Sequence, residues 1–290
     1  MSTVTTRRGV IARESRVSKV AAMTVMIALA IYFLLPIYFL VVAATKPQGD
    51  LASTFGLAFS HFHLWQNLST LFGVDNGIFL QWALNSVIYA VGGAAVGTLI
   101  STLAGYALAK FHFRFRETFF SIVLGGVLVP TTALALPLFL LFSTVHLTDT
   151  YWAVFLPSIV SPFGVYLARI FAGGAIPDEI IESARLDGAG EFRIFFSVAF
   201  KLLSPSLVTI FLFQFVGIWN NFFLPMVMLQ SDQLYPLTLG LYNWNGQIAR
   251  VPLLQQSVIT GSLVSIIPLI IVFLALQRFW KTGLASGSLK

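Results

Sequence analysis

Residues Val20–Ala44 read VAAMTVMIALAIYFLLPIYFLVVAA, 25 consecutive positions without Asp, Glu, Lys, Arg or His. A bilayer's hydrocarbon core is about 30 Å thick, and a helix needs ~20 mostly apolar residues to cross it. The run is long enough to span. It is also well beyond the roughly 7–15 apolar residues of a secretory signal, and Val42-Ala43-Ala44 is at best a weak cleavage site. Five more charge-free stretches follow: Trp82–Ala109, Thr118–Phe142, Tyr151–Ala168, Leu202–Gln230 and Val251–Gln277. Tyr151–Ala168 is short and holds Pro157 and Pro162, but a span can run on past Arg169 if that side chain snorkels to the interface. Membrane helices tolerate such prolines because neighbouring helices and water satisfy the freed backbone groups. No strand-length alternation suits a barrel. The expectation is an all-α integral membrane bundle of six transmembrane helices.

Composition excludes the alternatives. Of 290 residues, 57% are apolar and 10% charged, whereas soluble domains carry about 25% charged residues. So few charges cannot cover a cytosolic enzyme or keep a chain disordered. The cysteine count is zero, which removes disulfides, thiolate metal sites and a cysteine nucleophile. If the N-terminus is cytoplasmic and the segments alternate, fifteen of the seventeen basic residues fall inside, leaving only Lys46 and Arg250 outside. That skew is the positive-inside pattern. It explains the isoelectric point of about 9.7 as topology, not nucleic-acid binding. The organisation expected is a basic cytoplasmic segment 1–19, a transmembrane domain 20–280 and a cytoplasmic tail 281–290, both termini inside a bacterial or archaeal inner membrane.

Three loops carry information. The outer loop Thr45–Gln81 has a partly amphipathic run from Leu57 to Phe72, read as an interfacial helix, with His61 and His63 but no third ligand for a metal. The outer loop Ser231–Arg250 contains Tyr242, Asn243, Trp244, Asn245 and Gln247, rings beside amides, which suit a polar uncharged ligand, a docking protein or an interfacial belt. The inner loop reads Ile176-Pro177-Asp178-Glu179-Ile180-Ile181-Glu182-Ser183-Ala184-Arg185-Leu186-Asp187-Gly188-Ala189-Gly190. Pro177 suits a first helical position, Asp178 and Glu179 complement the positive dipole end, and Gly188 and Gly190 supply a stop. Ile180, Ala184 and Gly188 form an i, i+4 row that narrows to small side chains. Spacing alone leaves open whether this helix docks on a partner or lies on the membrane.

Glu182-Ser183-Ala184, three residues, then Gly188 resembles the EAA loop of binding-protein-dependent ABC transporter permeases. That pattern runs Glu-Ala-Ala, three residues, Gly, nine residues, Ile-x-Leu-Pro. Here Ser183 replaces the second position. Val198-Ala199-Phe200-Lys201 stands in place of the last four, so the proline that usually bends segment five is missing and the nearest is Pro205. Asn85-Ser86, Gly105-Tyr106-Ala107-Leu108-Ala109-Lys110-Phe111, Trp219-Asn220-Asn221-Phe222, Tyr235-Pro236-Leu237-Thr238 and Gln277–Gly287 resemble the carbohydrate-uptake branch, of maltose-transporter type. The resemblance implies a type I importer permease fold with a coupling helix at about 177–190. It also implies a second, non-identical permease, two ATPase subunits that use ATP and Mg, and an extracytoplasmic sugar-binding protein. Glu182, Ser183, Ala184, Asp187 and Gly188 would then contact the ATPase.

What the chain lacks is consistent with that division of labour. It has no Gly-Lys dipeptide and so no phosphate-binding loop; no cofactor is expected in this chain, and it is not itself an enzyme. No charge sits deep in an apolar segment, whereas ion-coupled carriers commonly need one. The embedded polar groups are neutral. Gln214, Asn220 and Asn221, in a Phe-rich segment, are the expected lining of a path for a neutral polyhydroxylated solute. The competing reading is a self-sufficient secondary carrier or channel.

Overall fold

The structure is a computed structural model that describes residues 16–287. Arg7, Arg8, Arg13 and Lys290, expected on the cytoplasmic side, lie outside the described residues. Regular structure among the described residues is helical throughout, and the chain divides into two compact units at Leu64.

The first unit is built on α1 (Arg16–Thr45), which contains the whole of Val20–Ala44 with Pro36 inside it. From Val20 to Phe39 its apolar side chains are exposed all round, Val25, Ile31 and Phe33 among them, as in a helix whose solvent is lipid, while Val42, Ala43 and Ala44 are buried. Beyond it the chain folds back. Buried Lys46 donates from Nζ to Thr54 Oγ1 (2.8 Å) and Phe55 O (2.9 Å), and Tyr38 Oη donates to Leu57 O (3.0 Å). These side chains occupy carbonyls that a helix would need, so residues 54–63 are irregular. The interfacial helix expected from Leu57 therefore starts only at Leu64. His61 Nδ1 lies 3.5 Å from Asp50 Oδ2, and His63 Nδ1 lies 3.3 Å from His61 O.

The second unit opens with α2 (Leu64–Gly73), which buries Leu71 and exposes Trp65. Asp75, Asn76 and Gly77 all have positive φ (49°, 57° and 81°) and break the helix there. Then α3 (Ile78–Val87) passes through a π turn at Ile88–Gly92 into α4 (Gly93–Lys110). Together they run ~50 Å at about 1.5 Å per residue, enough to span with tilt.

The third apolar segment departs from expectation. It forms two short helices, α5 (Arg116–Leu128) and α6 (Ala135–Thr144), separated by extended Val129 and a turn beginning at Pro130. Proline lacks the N–H to continue a ladder and pushes the residue before it out of the helical region. The fourth segment is α7 (Tyr151–Ser158) and α8 (Pro162–Ala175); Ser161 Oγ caps α8 by accepting from Gly164 N (3.0 Å). After α9 (Asp178–Leu186) come α10 (Glu191–Leu202) and α11 (Ser204–Trp219), bent by 83° relative to each other. Pro205 sits in the first turn of α11, so the bend occurs although Lys201 replaces the usual proline. The remaining helices are α12 (Phe223–Met228), α13 (Leu237–Gln247) and α14 (Leu254–Gly287). By length and composition four described helices can each cross a membrane, or five with the bent pair counted as one. The sixth expected span is the broken pair α5–α6.

Small residues set the packing. A Cβ at Gly105 of α4 would fall 2.6 Å from Arg169 N of α8, so these backbones are in direct contact. Membrane helices associate through such close approaches because lipid removes the hydrophobic drive between them.

Candidate functional site

Three places hold the residues singled out from sequence. The first is α9. Pro177 is its N-cap, with extended backbone, and not its first helical residue; Asp178 and Glu179 fill the first turn. Gly188 ends it at φ +80°, donating to Arg185 O (3.0 Å), while Ala189 N donates to Ala184 O (3.0 Å). A left-handed residue after the last turn is the usual reason for glycine at that place. Gly190 has φ −72° and needs no such freedom.

The faces of α9 differ from the sequence pattern. Ile181 is 3% exposed and packs with Tyr106, Ile176, Ile194 and Phe195, and Ala184 leans on the same cluster. Glu182, Ser183, Asp187 and Gly188 are exposed, and nothing lies within 4 Å of a Cβ built on Gly188. Ser183 Oγ donates to Glu179 O (2.8 Å). Sequence reasoning missed Leu186, which is 90% exposed, and Phe192, which is 78% exposed. Leu186 lies within Glu182–Gly188 and Phe192 four residues beyond it, so each presents apolar area among polar neighbours in the chain. Asp178 is held below the ordinary carboxylate range, chiefly by the hydrogen bond from Lys110. The Arg185 guanidinium is raised above its usual value, first by its bond to Glu191.

The second place is a cavity of about 770 Å³ among α5–α8, α11 and α12. Thr131, Thr132, Ser158, Ser161, Gln214 and Asn221 supply its polar lining. Pro157, Pro162, Phe163, Phe213 and Phe223 supply apolar walls, and among the described residues no charged side chain lines it. Gln214 is 8% exposed, and neither Nε2 nor Oε1 has a partner. Its Oε1 abuts Gly97 of α4, where any Cβ would collide with it. Both amide atoms are sealed from the cavity, Oε1 lying against α4, so the group is a buried unpaired amide of the kind that costs about 1–3 kcal/mol. Asn220 does not line the cavity; its Nδ2 turns back to Val216 O (2.9 Å).

The third place is the segment between α12 and α13. Trp82, Asn85, Ser86 and Tyr89 lie at i, i+3, i+4 and i+7 on one face, and all four hold residues 232–237. Trp82 Nε1 donates to Asp232 O (2.7 Å), Tyr89 Oη donates to Leu234 O (3.1 Å), and Leu237 N donates to Ser86 Oγ (2.7 Å). Asn85, fully buried, donates to Gln233 O (2.7 Å) and Tyr235 O (3.0 Å) and accepts from Tyr151 Oη (2.8 Å) and Gln81 Nε2 (3.0 Å). On the far side, Asp149 accepts from Gln230 N, Ser231 N and Ser231 Oγ at 2.8, 2.9 and 2.5 Å.

The rings and amides expected together in an exposed stretch are instead divided by α13. Trp244 is 3% exposed, its ring 4.6 Å from Trp82 and 6.5 Å from Phe79. Tyr242, Asn245 and Gln247 are exposed, Asn243 is half-buried, and Gln247 Nε2 bonds Asn243 Oδ1.

Comparison with known proteins fits this arrangement. Residues 97–284 match the family model described as binding-protein-dependent transport system inner membrane component. The arabinooligosaccharides transport system permease protein AraQ of Halalkalibacterium halodurans is 34% identical, over 87% of this chain and 89% of its own. The lactose transport system permease protein LacG of Rhizobium radiobacter is 32% identical over 82% of each. A bacterial ABC transporter involved in import of the acidic polysaccharide alginate shares the fold, with a TM-score of 0.77 over 91% of this chain and 98% of its own at 23% identity. A helical bundle with a polar helix beyond its spans, matched over most of its length by such relatives, belongs to the family of binding-protein-dependent transport system inner membrane components.

Proposed function

We propose that the chain is one of two permease subunits of an ATP-driven importer and that its solute is a neutral sugar or oligosaccharide. The observation that carries this is the cavity: its polar lining is neutral, and among the described residues no charged side chain lines it. Amides and hydroxyls pair with sugar hydroxyls, and the Phe and Pro walls suit the apolar faces of sugar rings. An anionic solute there would leave a charge uncompensated at low dielectric, which is costly. The named substrates of AraQ and LacG support the same class.

In this reading ATP and Mg are bound by two separate ATPase subunits, which dock on α9 through Glu182, Ser183, Ala184, Asp187 and Gly188. A second, different permease completes the pathway, and an extracytoplasmic binding protein delivers solute to the outer side near Tyr242, Asn245 and Gln247. Both termini are cytoplasmic. The test is uptake into proteoliposomes holding the whole complex. Neutral oligosaccharides should be taken up and uronate-containing ones of equal length should not, and Thr132→Val, which removes an exposed lining hydroxyl, should raise the solute concentration for half-maximal uptake. Equal uptake of anionic and neutral solutes would refute the substrate class.

A further inference from the structure

A basic residue at the inner end of a span is ordinarily explained by topology, and such a side chain keeps its head in water. Lys201 does so; it is exposed. Lys110 does not. It is the last residue of α4, and its side chain is 6% exposed. Its Nζ donates to Ile176 O (2.5 Å), just beyond α8, and to Asp178 Oδ1 (2.7 Å), the first residue of α9. One ammonium therefore gathers the ends of three helices.

The opposite end of α9 is fixed as well. Arg185 Nε donates to Glu191 Oε1 (2.7 Å) at the start of α10, and its guanidinium lies 5.9 Å from the Phe111 ring. Between these ties Ile181 is buried. A shift of α9 against α4 would have to break the Lys110 bonds and expose Ile181. From Lys110 the helix runs ~20 Å, at about 1.5 Å per residue, to Gly97, which touches Gln214 at the cavity wall. Along the way Gly105 locks α4 onto α8.

We infer that Lys110 is the positioning residue of energy coupling. It joins α9, α8 and α4 into one body, so that displacement of α9 reaches the cavity through Gly97. The inference rests on the reading of α9 as the ATPase-docking helix, and its experiment separates the two. The complete transporter is reconstituted with Lys110→Met, which keeps the length of the stem, Lys110→Arg, which restores donors, and Asp178→Ala. Uptake, ATP hydrolysis and bound ATPase are measured on the same vesicles.

With Lys110→Met the ATPase should stay bound and hydrolysing while solute moved per ATP falls about tenfold or more, the weight of bonds to a charged group. Lys110→Arg should recover most of that ratio. Asp178 is largely exposed, so Asp178→Ala leaves folding intact and should lower the ratio by a smaller factor. If Lys110 were merely structural, Lys110→Met would reduce the amount of assembled complex and leave solute per ATP unchanged. That result, or an unchanged ratio in Asp178→Ala if Lys110→Met does not assemble, overturns the inference. Gly188→Asp and Glu182→Lys serve as the separate check. ATPase still bound and uptake normal in both would refute the docking role of α9 itself.

Discussion

Asn85 uses its whole amide. Two donors and two acceptor sites are all the group possesses, and the four bonds to Gln233, Tyr235, Tyr151 and Gln81 take every one. Replacing it by Leu keeps the volume close and deletes all four. Gln81 and Tyr151 can turn to each other, since they already lie 3.4 Å apart. The carbonyls of Gln233 and Tyr235 lose their shared donor. Each buried group left unpaired costs about 1–3 kcal/mol, and bonds measured within membrane proteins average nearer 0.6 kcal/mol. The expected loss is therefore about 2–5 kcal/mol.

The loss should be local, because the Trp82, Ser86 and Tyr89 bonds remain. The chain contains no cysteine, so a single cysteine at half-buried Leu234 reports on this segment without background. Its labelling by an impermeant maleimide should accelerate by ~30-fold or more, the equivalent of about 2 kcal/mol. Unchanged labelling in Asn85→Leu would refute the view that this amide holds the segment in place.

Two further outcomes concern the residues around this segment. Trp244→Ala empties a site among Phe79, Trp82 and the neighbouring core and should destabilise the protein by about 3–5 kcal/mol, seen in thermal unfolding of the purified chain, whereas Tyr242→Ala should leave the melting temperature nearly unchanged. Asp149 is held below its ordinary value by Ser231, first through the side chain and then through the backbone; its contribution is present above the unfolded carboxylate value near 3.8 and is lost as pH falls through the lowered one. Asp149→Asn should therefore lower stability by a nearly constant amount from pH 8 to pH 5, and the difference between the two proteins should shrink only in stronger acid, as the carboxylate of the unsubstituted protein is protonated.

The parts legible in the sequence are those governed by one-dimensional rules. Charge-free length marks a span, so Val20–Ala44 lies wholly within α1, which begins four residues earlier at Arg16, and the Asp178–Gly188 helix announced its start and stop through charge and glycine. Charge-free length says nothing about continuity, however. Thr118–Phe142 is as apolar as its neighbours, yet Pro130 divides it into α5 and α6. That break is where Thr131 and Thr132 enter the cavity, so the departure from a regular span falls on the candidate pathway. Irregular backbone at membrane depth persists where it lines a cavity or is buried in protein. Composition also could not assign the embedded amides. Asn85, Gln214 and Asn220 look alike in sequence, and partners more than a hundred residues away distinguish only the first. Asn85 is tied to the segment near Gln233, Asn220 is returned to its own helix, and Gln214 alone keeps both polar atoms unpaired. The same limit hid Lys110. Its sign was accounted for by topology, while its burial and its two acceptors depend on where α8 ends and α9 begins. For a lysine at a span's inner end, exposure of the ammonium is therefore the observation that separates a topological charge from a mechanical one.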